Sequence, residues 1–293
     1  MVYTHNIMRY TNNFNLPPEI VKAIVNDDYD HPTDEKTIPC SKLISPPRIN
    51  ILSKRHDNEI VKDISDDIWA LLGTSVHYIL SKQSDGVAII EHRISVPYNG
   101  YVITGKPDYY NPQTGEIKDY KVSSVWKYIY GPTEGYTEWE EQLNVYAWLL
   151  RKSGSTVAKL TITAILRDWQ QREAWNNPSY PNIQIQQIDL PLWSEEDQEK
   201  FVSEKLSALL RNDGLADGEL DLCTPSQRWA SPTTWALMKE GRKSAVKVFK
   251  ELPEIEVPEG CSIVERPGKD KRCENYCNVN KFCEYYKEKE NKC

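Results

Sequence analysis

Apolar positions along the chain change period several times, and the changes mark out elements. In "SDDIWALLGTSVHYILSK" (65–82), Ile68, Leu71, Leu72, Val76 and Ile79 recur at helical spacing, with Ser65 and Asp66 where caps belong. Three strand-like runs follow at 87–97, 101–110 and 116–122. "TEWEEQLNVYAWLLRKSG" (137–154) predicts a helix stopped by Gly154. "VAKLTITAILRDW" (157–169) and "IQIQQIDL" (183–190) alternate as strands do, and "SEEDQEKFVSEKLSALLRNDG" (194–214) predicts an amphipathic helix with a capping-box start. The order helix, three strands, helix, strand predicts an α/β core with a three-stranded mixed sheet over 61–214. Residues 1–60, rich in Pro, Asn and Asp, read as an N-terminal arm, and 215–293 as a C-terminal segment with looser patterning and a cysteine cluster.

The chain's 293 residues are enough to bury a sizeable core. A net charge of −7 and a pI near 5.4 argue against a protein that coats nucleic acid non-specifically, so any such contact has to come from local patches. Mean hydropathy is −0.63, and no apolar run approaches membrane-spanning length. The N-terminal stretch lacks a signal-peptide core, and the expected setting is the cytoplasm.

Two aspartates stand out. Pro112-Gln113-Thr114-Gly115 is a turn signal, and a hairpin centred between Gln113 and Thr114 opposes Asp108 and Asp119. Opposed Cβ atoms in a ladder lie roughly 4.5–5.5 Å apart, so two carboxylates so placed repel and raise each other's pKa. A divalent cation between them removes the conflict, and hard oxygen ligands suit Mg²⁺ or Mn²⁺. Lys121 shares a strand face with Asp119, where it can orient a water or meet charge on a phosphate. The plain alternative is that both aspartates flank a turn in solvent. His77 lies on the helix before the strands, and Gln142 and Tyr146 share a face of the helix after them. Glu91 is either an extra acidic ligand or an ordinary strand residue.

The order Gly73…His77, Gly105-Lys106-Pro107-Asp108, Asp119-Tyr120-Lys121, Gln142…Tyr146 resembles the RecB-like branch of the PD-(D/E)xK nuclease superfamily, over about residues 65 to 170. The resemblance implies a restriction-endonuclease-like fold and metal-dependent hydrolysis of DNA. It implies that Asp108 and Asp119 hold the metal, completed by the Tyr120 carbonyl and the His77 imidazole. Lys121 would position the attacking water, and Gln142 and Tyr146 would shape the site and touch DNA. An imidazole among oxygen donors favours Mn²⁺ somewhat over Mg²⁺.

Seven cysteines, an odd number in a chain of cytoplasmic character, argue against a disulfide framework. Cys273, Cys277 and Cys283 are close enough to ligate one metal, and a four-thiolate site needs one more from Cys223, Cys261, Cys40 or Cys293. The stretch from Cys223 through this tail resembles phage-encoded relatives of the CRISPR-adaptation nucleases and of the AddB nuclease domain, which implies a [4Fe–4S] cluster. Cys40 suits the topology of the better-known proteins and Cys223 the phage-type segment, and Cys223 is the choice made. Zn²⁺ is the alternative metal.

Lys239, Arg242, Lys243, Lys247 and Lys250 in "MKEGRKSAVKVFK" form either a phosphate-binding stripe or a solvated helix face. Trp169, Trp175 and Tyr180 either stack on unpaired bases or anchor a loop. Together these readings describe a Mg²⁺- or Mn²⁺-dependent exonuclease acting on linear DNA ends, single- or double-stranded, in phage or prophage recombination, replication or degradation. A recombination or annealing protein is the expected partner, and a bacterial host cytoplasm the setting. The rivals are a structure-specific endonuclease and a non-catalytic DNA-end-binding protein on the same fold.

Overall fold

The computed structural model describes residues 3–5, 8–26, 34–83 and 86–290. Chain contacts divide these into two units, residues 1–45 with 61–211 and residues 46–60 with 212–293. The chain opens with β1 (Tyr3–His5), β2 (Met8–Thr11), α1 (Pro18–Val25), β3 (Thr37–Pro39) and α2 (Cys40–Ile44). After α3 (Pro47–Arg55), which belongs to the second unit, come β4 (Val61–Asp63) and α4 (Ile68–Ser81). The strands β5 (Ile89–Ile90), β6 (Ile94–Tyr98), β7 (Tyr101–Gly105), β8 (Tyr109–Asn111) and β9 (Glu116–Ser123) follow. The unit is completed by α5 (Val125–Glu134), α6 (Thr137–Lys152), β10 (Lys159–Leu166), α7 (Gln171–Asn176), β11 (Ile185–Leu190) and α8 (Glu195–Asp213), whose last residues pass into the second unit.

The main sheet has the order β11-β10-β9-β8-β5, with β10 parallel to β9 and the other neighbours antiparallel. A second sheet, β3-β7-β6, and a third, β1-β2-β4, stand beside it in the same unit. The helix α6 packs on β6, β7, β9 and β10. Leu143 and Leu149 on its inner face meet a core that includes Ile103, Ile117, Leu160 and Ile162, all fully buried. Gly154, at φ 84°, ends this helix in the left-handed region that glycine tolerates, as the sequence predicts. Ser194 caps α8 by accepting the Asp197 N–H at 3.0 Å.

Three expectations need correction. The expected three-stranded sheet is a five-stranded one, because β10 and β11 join it beside β9, and the run 101–110 is cut at Lys106-Pro107-Asp108. Proline has no N–H for a ladder, and the break sends β7 and β8 into different sheets. The run 87–97 is cut in the same way at Glu91, whose φ is 47°. Residues 1–60 are also more regular than an arm, since they carry α1, α2 and α3; Pro18 and Pro47 sit at helix starts, where proline is tolerated. Finally, α4 has helical apolar spacing but no buried residue, and it leaves Trp69, Leu72, Tyr78 and Ile79 exposed.

The second unit contains a three-stranded antiparallel sheet of order β13-β12-β14, formed by β12 (Thr234–Lys239), β13 (Lys247–Phe249) and β14 (Cys261–Arg266). Two short helices, α9 (Lys271–Asn275) and α10 (Glu284–Glu290), complete it. Residues 238–250 therefore form a strand–turn–strand and not a helix face: Gly241, at φ 77°, turns the chain between the basic residues. Asp270, buried and accepting from Arg228, Tyr285 and Lys289, ties the tail together.

Candidate active site

The β8–β9 hairpin has the expected register, with Tyr109 opposite Lys118, Tyr110 opposite Ile117 and Asn111 opposite Glu116. Asp108 lies one residue outside the ladder, in the bend that Pro107 creates. Its side chain still reaches the neighbouring strand, where Oδ2 accepts the Tyr120 N–H at 2.7 Å. Its other oxygen, Oδ1, lies 3.1 Å from His77 Nδ1 on α4. That hydrogen bond raises the His77 pKa against the opposing effect of burial. The His77 and Tyr120 rings meet edge to face.

Asp119, on β9, is 2 % exposed. Burial pushes its carboxyl up to about 6, with Lys121 pulling down and Asp108 adding repulsion. Oδ1 accepts from Gln142 Nε2 at 3.3 Å. Oδ2 lies 2.7 Å from Lys121 Nζ as an ion pair but accepts no aligned hydrogen bond. Lys121 donates instead to Gln142 Oε1 at 3.0 Å, and Gln142 Nε2 also contacts the Tyr146 hydroxyl at 2.9 Å. Burial holds that hydroxyl well above the ordinary tyrosine range. The network depends on a close approach of β7 to α6: a Cβ on Gly105 would come within 2.6 Å of Leu149 Cδ1 and 2.8 Å of the Tyr146 ring.

His77, Asp108, Asp119, Lys121, Gln142 and Tyr146 all border one open cavity of about 880 Å³, together with Glu91 and Lys106. The tightest donor group is His77, Glu91 and Asp108, whose ligand atoms lie within 4.8 Å of one another. Asp119 stands outside that group, turned toward Lys121 and Gln142. Glu91, which the sequence leaves undecided, is thus in the site and paired with Lys106 Nζ at 3.0 Å. Two carboxylates and a further carboxylate oxygen are hard donors, and with an imidazole, a borderline one, they fit a divalent cation.

A second cavity lies wholly within the second unit. Cys223, Cys273, Cys277 and Cys283 line it, with Arg48, Arg228 and Arg272. Burial pushes the Cys223 thiol up to about 11 and Cys273 to about 12, and neighbouring thiols push both further. Arg48 is 3 % exposed and donates to the carbonyls of Leu220 and Asp221 and, at 3.7 Å, to Cys283 Sγ. A buried guanidinium with carbonyls and a thiol for partners suits thiolates gathered around a metal. Nothing in "PPRIN" marks Arg48 as a member of this group, since it is distant in sequence from every cysteine but Cys40. Cys40 lies in the first unit, its Sγ 3.8 Å from the Gln142 carbonyl, and Cys261 begins β14 and does not line the cavity. Cys293 is outside the described residues.

The remaining sequence candidates separate. Trp169 Nε1 donates to the Pro181 carbonyl, and the buried Tyr180 accepts from the Gln170 N–H, so both anchor the loop; Trp175 is 76 % exposed.

No family model matches the chain, and no curated protein matches it. Among solved structures the chain is similar to SSO0001, at 18% identity and a TM-score of 0.44, covering 64% of this chain and 83% of that one. It is similar to an alkaline exonuclease from Laribacter hongkongensis at 12% identity and a TM-score of 0.36, covering 60% and 89%. It is also similar to a phage related exonuclease from Haemophilus somnus 129PT at 14% identity and a TM-score of 0.30, covering 56% and 70%. Likeness at this level concerns the backbone path and leaves activity to be argued from the site.

Proposed function

We propose that the chain is a Mg²⁺- or Mn²⁺-dependent deoxyribonuclease of the PD-(D/E)xK type, acting as an exonuclease on linear DNA ends. The observation that carries this reading is the convergence of Asp108, Asp119, His77 and Lys121 on one open cavity, where two carboxylates and an imidazole offer donors to a cation. Asp119 Oδ2 is ion-paired with the Lys121 ammonium at 2.7 Å, so its charge is met when no metal is bound. In this reading His77, Asp108, Asp119 and the Tyr120 carbonyl hold the cation. When bound, the cation lowers the pKa of a water and offsets charge on the phosphate.

The chain's own groups do the rest. An ammonium has three donors. Gln142 accepts one of these on Lys121 and Asp119 holds the ammonium as an ion pair, which leaves donor capacity for a water or a phosphate oxygen in the cavity. Gln142 holds Lys121 and Asp119 at once, and Tyr146 fixes Gln142 from behind. Placing the ammonium before substrate arrives is the preorganisation that phosphate-ester hydrolysis rewards. In the second unit, the four-thiolate group Cys223, Cys273, Cys277 and Cys283 holds a [4Fe–4S] cluster in this reading. A tetrahedral Zn²⁺ with bonds of about 2.3 Å needs sulfurs about 3.8 Å apart. The four cysteines line one cavity, as either metal would need, and the choice of the cluster rests on the sequence resemblance. The phage or prophage role and a recombination partner belong to the same proposal and rest on the sequence resemblance alone.

The test offers end-labelled linear DNA, single- and double-stranded, and covalently closed circles, with Mg²⁺, Mn²⁺ or EDTA. Linear DNA reduced to short products, circles intact and no cleavage in EDTA are expected. Rapid nicking of circles favours the structure-specific endonuclease. Binding of ends without cleavage in either metal favours the end-binding protein.

A further inference from the structure

The helix α4 brings His77 to the site, but most of its apolar surface serves no core. It packs on β9, yet none of its residues is buried, and Trp69, Tyr78 and Ile79 are each more than half exposed. Tyr78 and Ile79 border the open cavity beside His77. Trp69, Gly73 and His77 follow one another at four-residue spacing, so they share a face over about 12 Å of helix. Gly73 also borders the cavity, and a Cβ there would meet nothing within 4 Å. Glycine inside a helix is destabilising relative to alanine, and no described neighbour requires it here. The two exposed rings each have a cation over them. Arg167 stands 4.8 Å from the Trp69 ring centroid, and Lys82 stands 4.8 Å from that of Tyr78. Arg167 also ties this face to the strand that carries the chemistry. Its N–H donates to the carbonyl of Ser123, two residues beyond Lys121 on β9, at 2.9 Å. The neighbouring Asp168 carboxylate is taken up by the Ser124 hydroxyl and the Val125 N–H at the start of α5.

We infer that α4 is a stacking track for the unpaired bases of a single DNA strand that enters the cavity, with Trp69 and Tyr78 as the two rings on which bases stack. This rests on the nuclease reading above and adds to it the substrate class, a strand with unpaired bases at the site. Proteins that hold single strands combine cations along the phosphate backbone with aromatic faces for the bases. On α4 the two are joined ring by ring, since each exposed ring carries its own cation. The cations mark the face for a polyanion and distinguish it from a plain apolar docking surface. An intact duplex keeps its base faces within its own stack and offers nothing to these rings. Gly73, on the stripe between Trp69 and His77, leaves room for the strand to pass close to the helix.

The test compares three probes in EDTA: a labelled oligothymidine strand, a strand of equal length and charge in which abasic sites replace the bases, and a duplex of the same length. Binding is measured on the full chain and its W69A, W69F and Y78A variants, with W175A as a control for an exposed tryptophan elsewhere. Circular dichroism confirms that each variant is folded, and cleavage in Mn²⁺ is measured in parallel. The parent is expected to bind the base-bearing strand more tightly than the other two probes. Trp69→Ala and Tyr78→Ala each weaken that binding at least about fivefold, the lower end for one base stacked on a ring, and leave the abasic strand unchanged. Trp69→Phe keeps most of the affinity, and Trp175→Ala changes nothing. A parent with no preference for bases overturns the inference, as does a loss in W69A that is equal for base-bearing and abasic strands, which assigns Trp69 to structure. If the variants bind as the parent does while the parent cleaves DNA in Mn²⁺, the track is wrong and the nuclease reading stands. A parent that neither binds a strand nor cleaves one overturns both.

Discussion

The two cavities handle buried ionisable groups differently. Around Asp108 and Asp119 the protein supplies its own partners: a backbone N–H, an imidazole, an ammonium and an amide meet the two carboxylates. Only one carboxylate oxygen there lacks an aligned donor. Around Cys223, Cys273 and Cys277 burial and mutual repulsion push the thiols up, and Arg48 is the charged group hydrogen-bonded to a sulfur, that of Cys283. In the proposed reading the first arrangement folds without an ion, which serves the chemistry. The second has fewer such partners, a backbone hydrogen bond at Val279 for Cys277 and Arg48 for Cys283, and a metal there would become part of the folding free energy.

The sharpest way to break this contrast is to remove the thiolates. Cys277→Ser is expected to lose iron and sulfide and the absorbance near 400 nm expected of iron–sulfur charge transfer, and to open 212–290 to limited proteolysis. A structural metal contributes on the order of 10 kcal/mol. A variant lacking metal yet as protease-resistant as the parent contradicts the contrast. Replacing Cys223 has the same expected effect; replacing Cys40 or Cys261 leaves the cluster intact.

Next in size is Lys121→Ala, expected to slow cleavage on the order of 10²–10³-fold, the scale of one preorganised electrostatic group. Because Lys121 pairs with the buried Asp119, its loss is also expected to lower the melting temperature at neutral pH, while the fold persists. A large fall in melting temperature with cleavage retained would assign Lys121 to stability alone.

The smallest effect depends on pH. Burial raises the folded pKa of Asp119 to about 6, above the 3.8 of an unstrained carboxyl. The stability tied to its neutral form is therefore present below about pH 4 and is lost as pH rises through about 6. The difference, about 2 pKa units, corresponds to about 2–3 kcal/mol. In EDTA, Asp119→Asn is expected to match the parent near pH 4 and to gain stability over it at pH 7, read from urea unfolding. A difference independent of pH refutes the burial argument. Saturating Mn²⁺ is expected to stabilise the parent and not the variant.

Much of the site was legible because its residues keep fixed spacings on elements whose periods are strong. The turn at Pro112–Gly115 set the register that brings Asp108 to Asp119, and Gln142 and Tyr146 share a helix face. The breaks were not legible. Pro107 lies within a run that otherwise alternates as a strand does, and which sheet each half joins depends on partners distant in sequence. Glu91 remained undecided because its place depends on a left-handed backbone that no local pattern announces. Arg48 was missed because only tertiary folding brings it to Cys283. The lack of burial along α4 contradicts its own periodicity: Ile79 is exposed, and Trp69 stays half-exposed with the Arg167 guanidinium over its ring at 4.8 Å.

The central claim is that the Asp108–Asp119 centre hydrolyses DNA with a divalent cation. The most direct measurement is the cleavage of end-labelled linear DNA by the parent, Asp108→Ala and Asp119→Ala proteins, each folded by circular dichroism, in Mn²⁺ and in EDTA. The account predicts cleavage by the parent in Mn²⁺ alone, and none by either variant in any condition. Cleavage by the Asp119→Ala protein at the parent's rate, or cleavage by the parent that persists in EDTA, would contradict it.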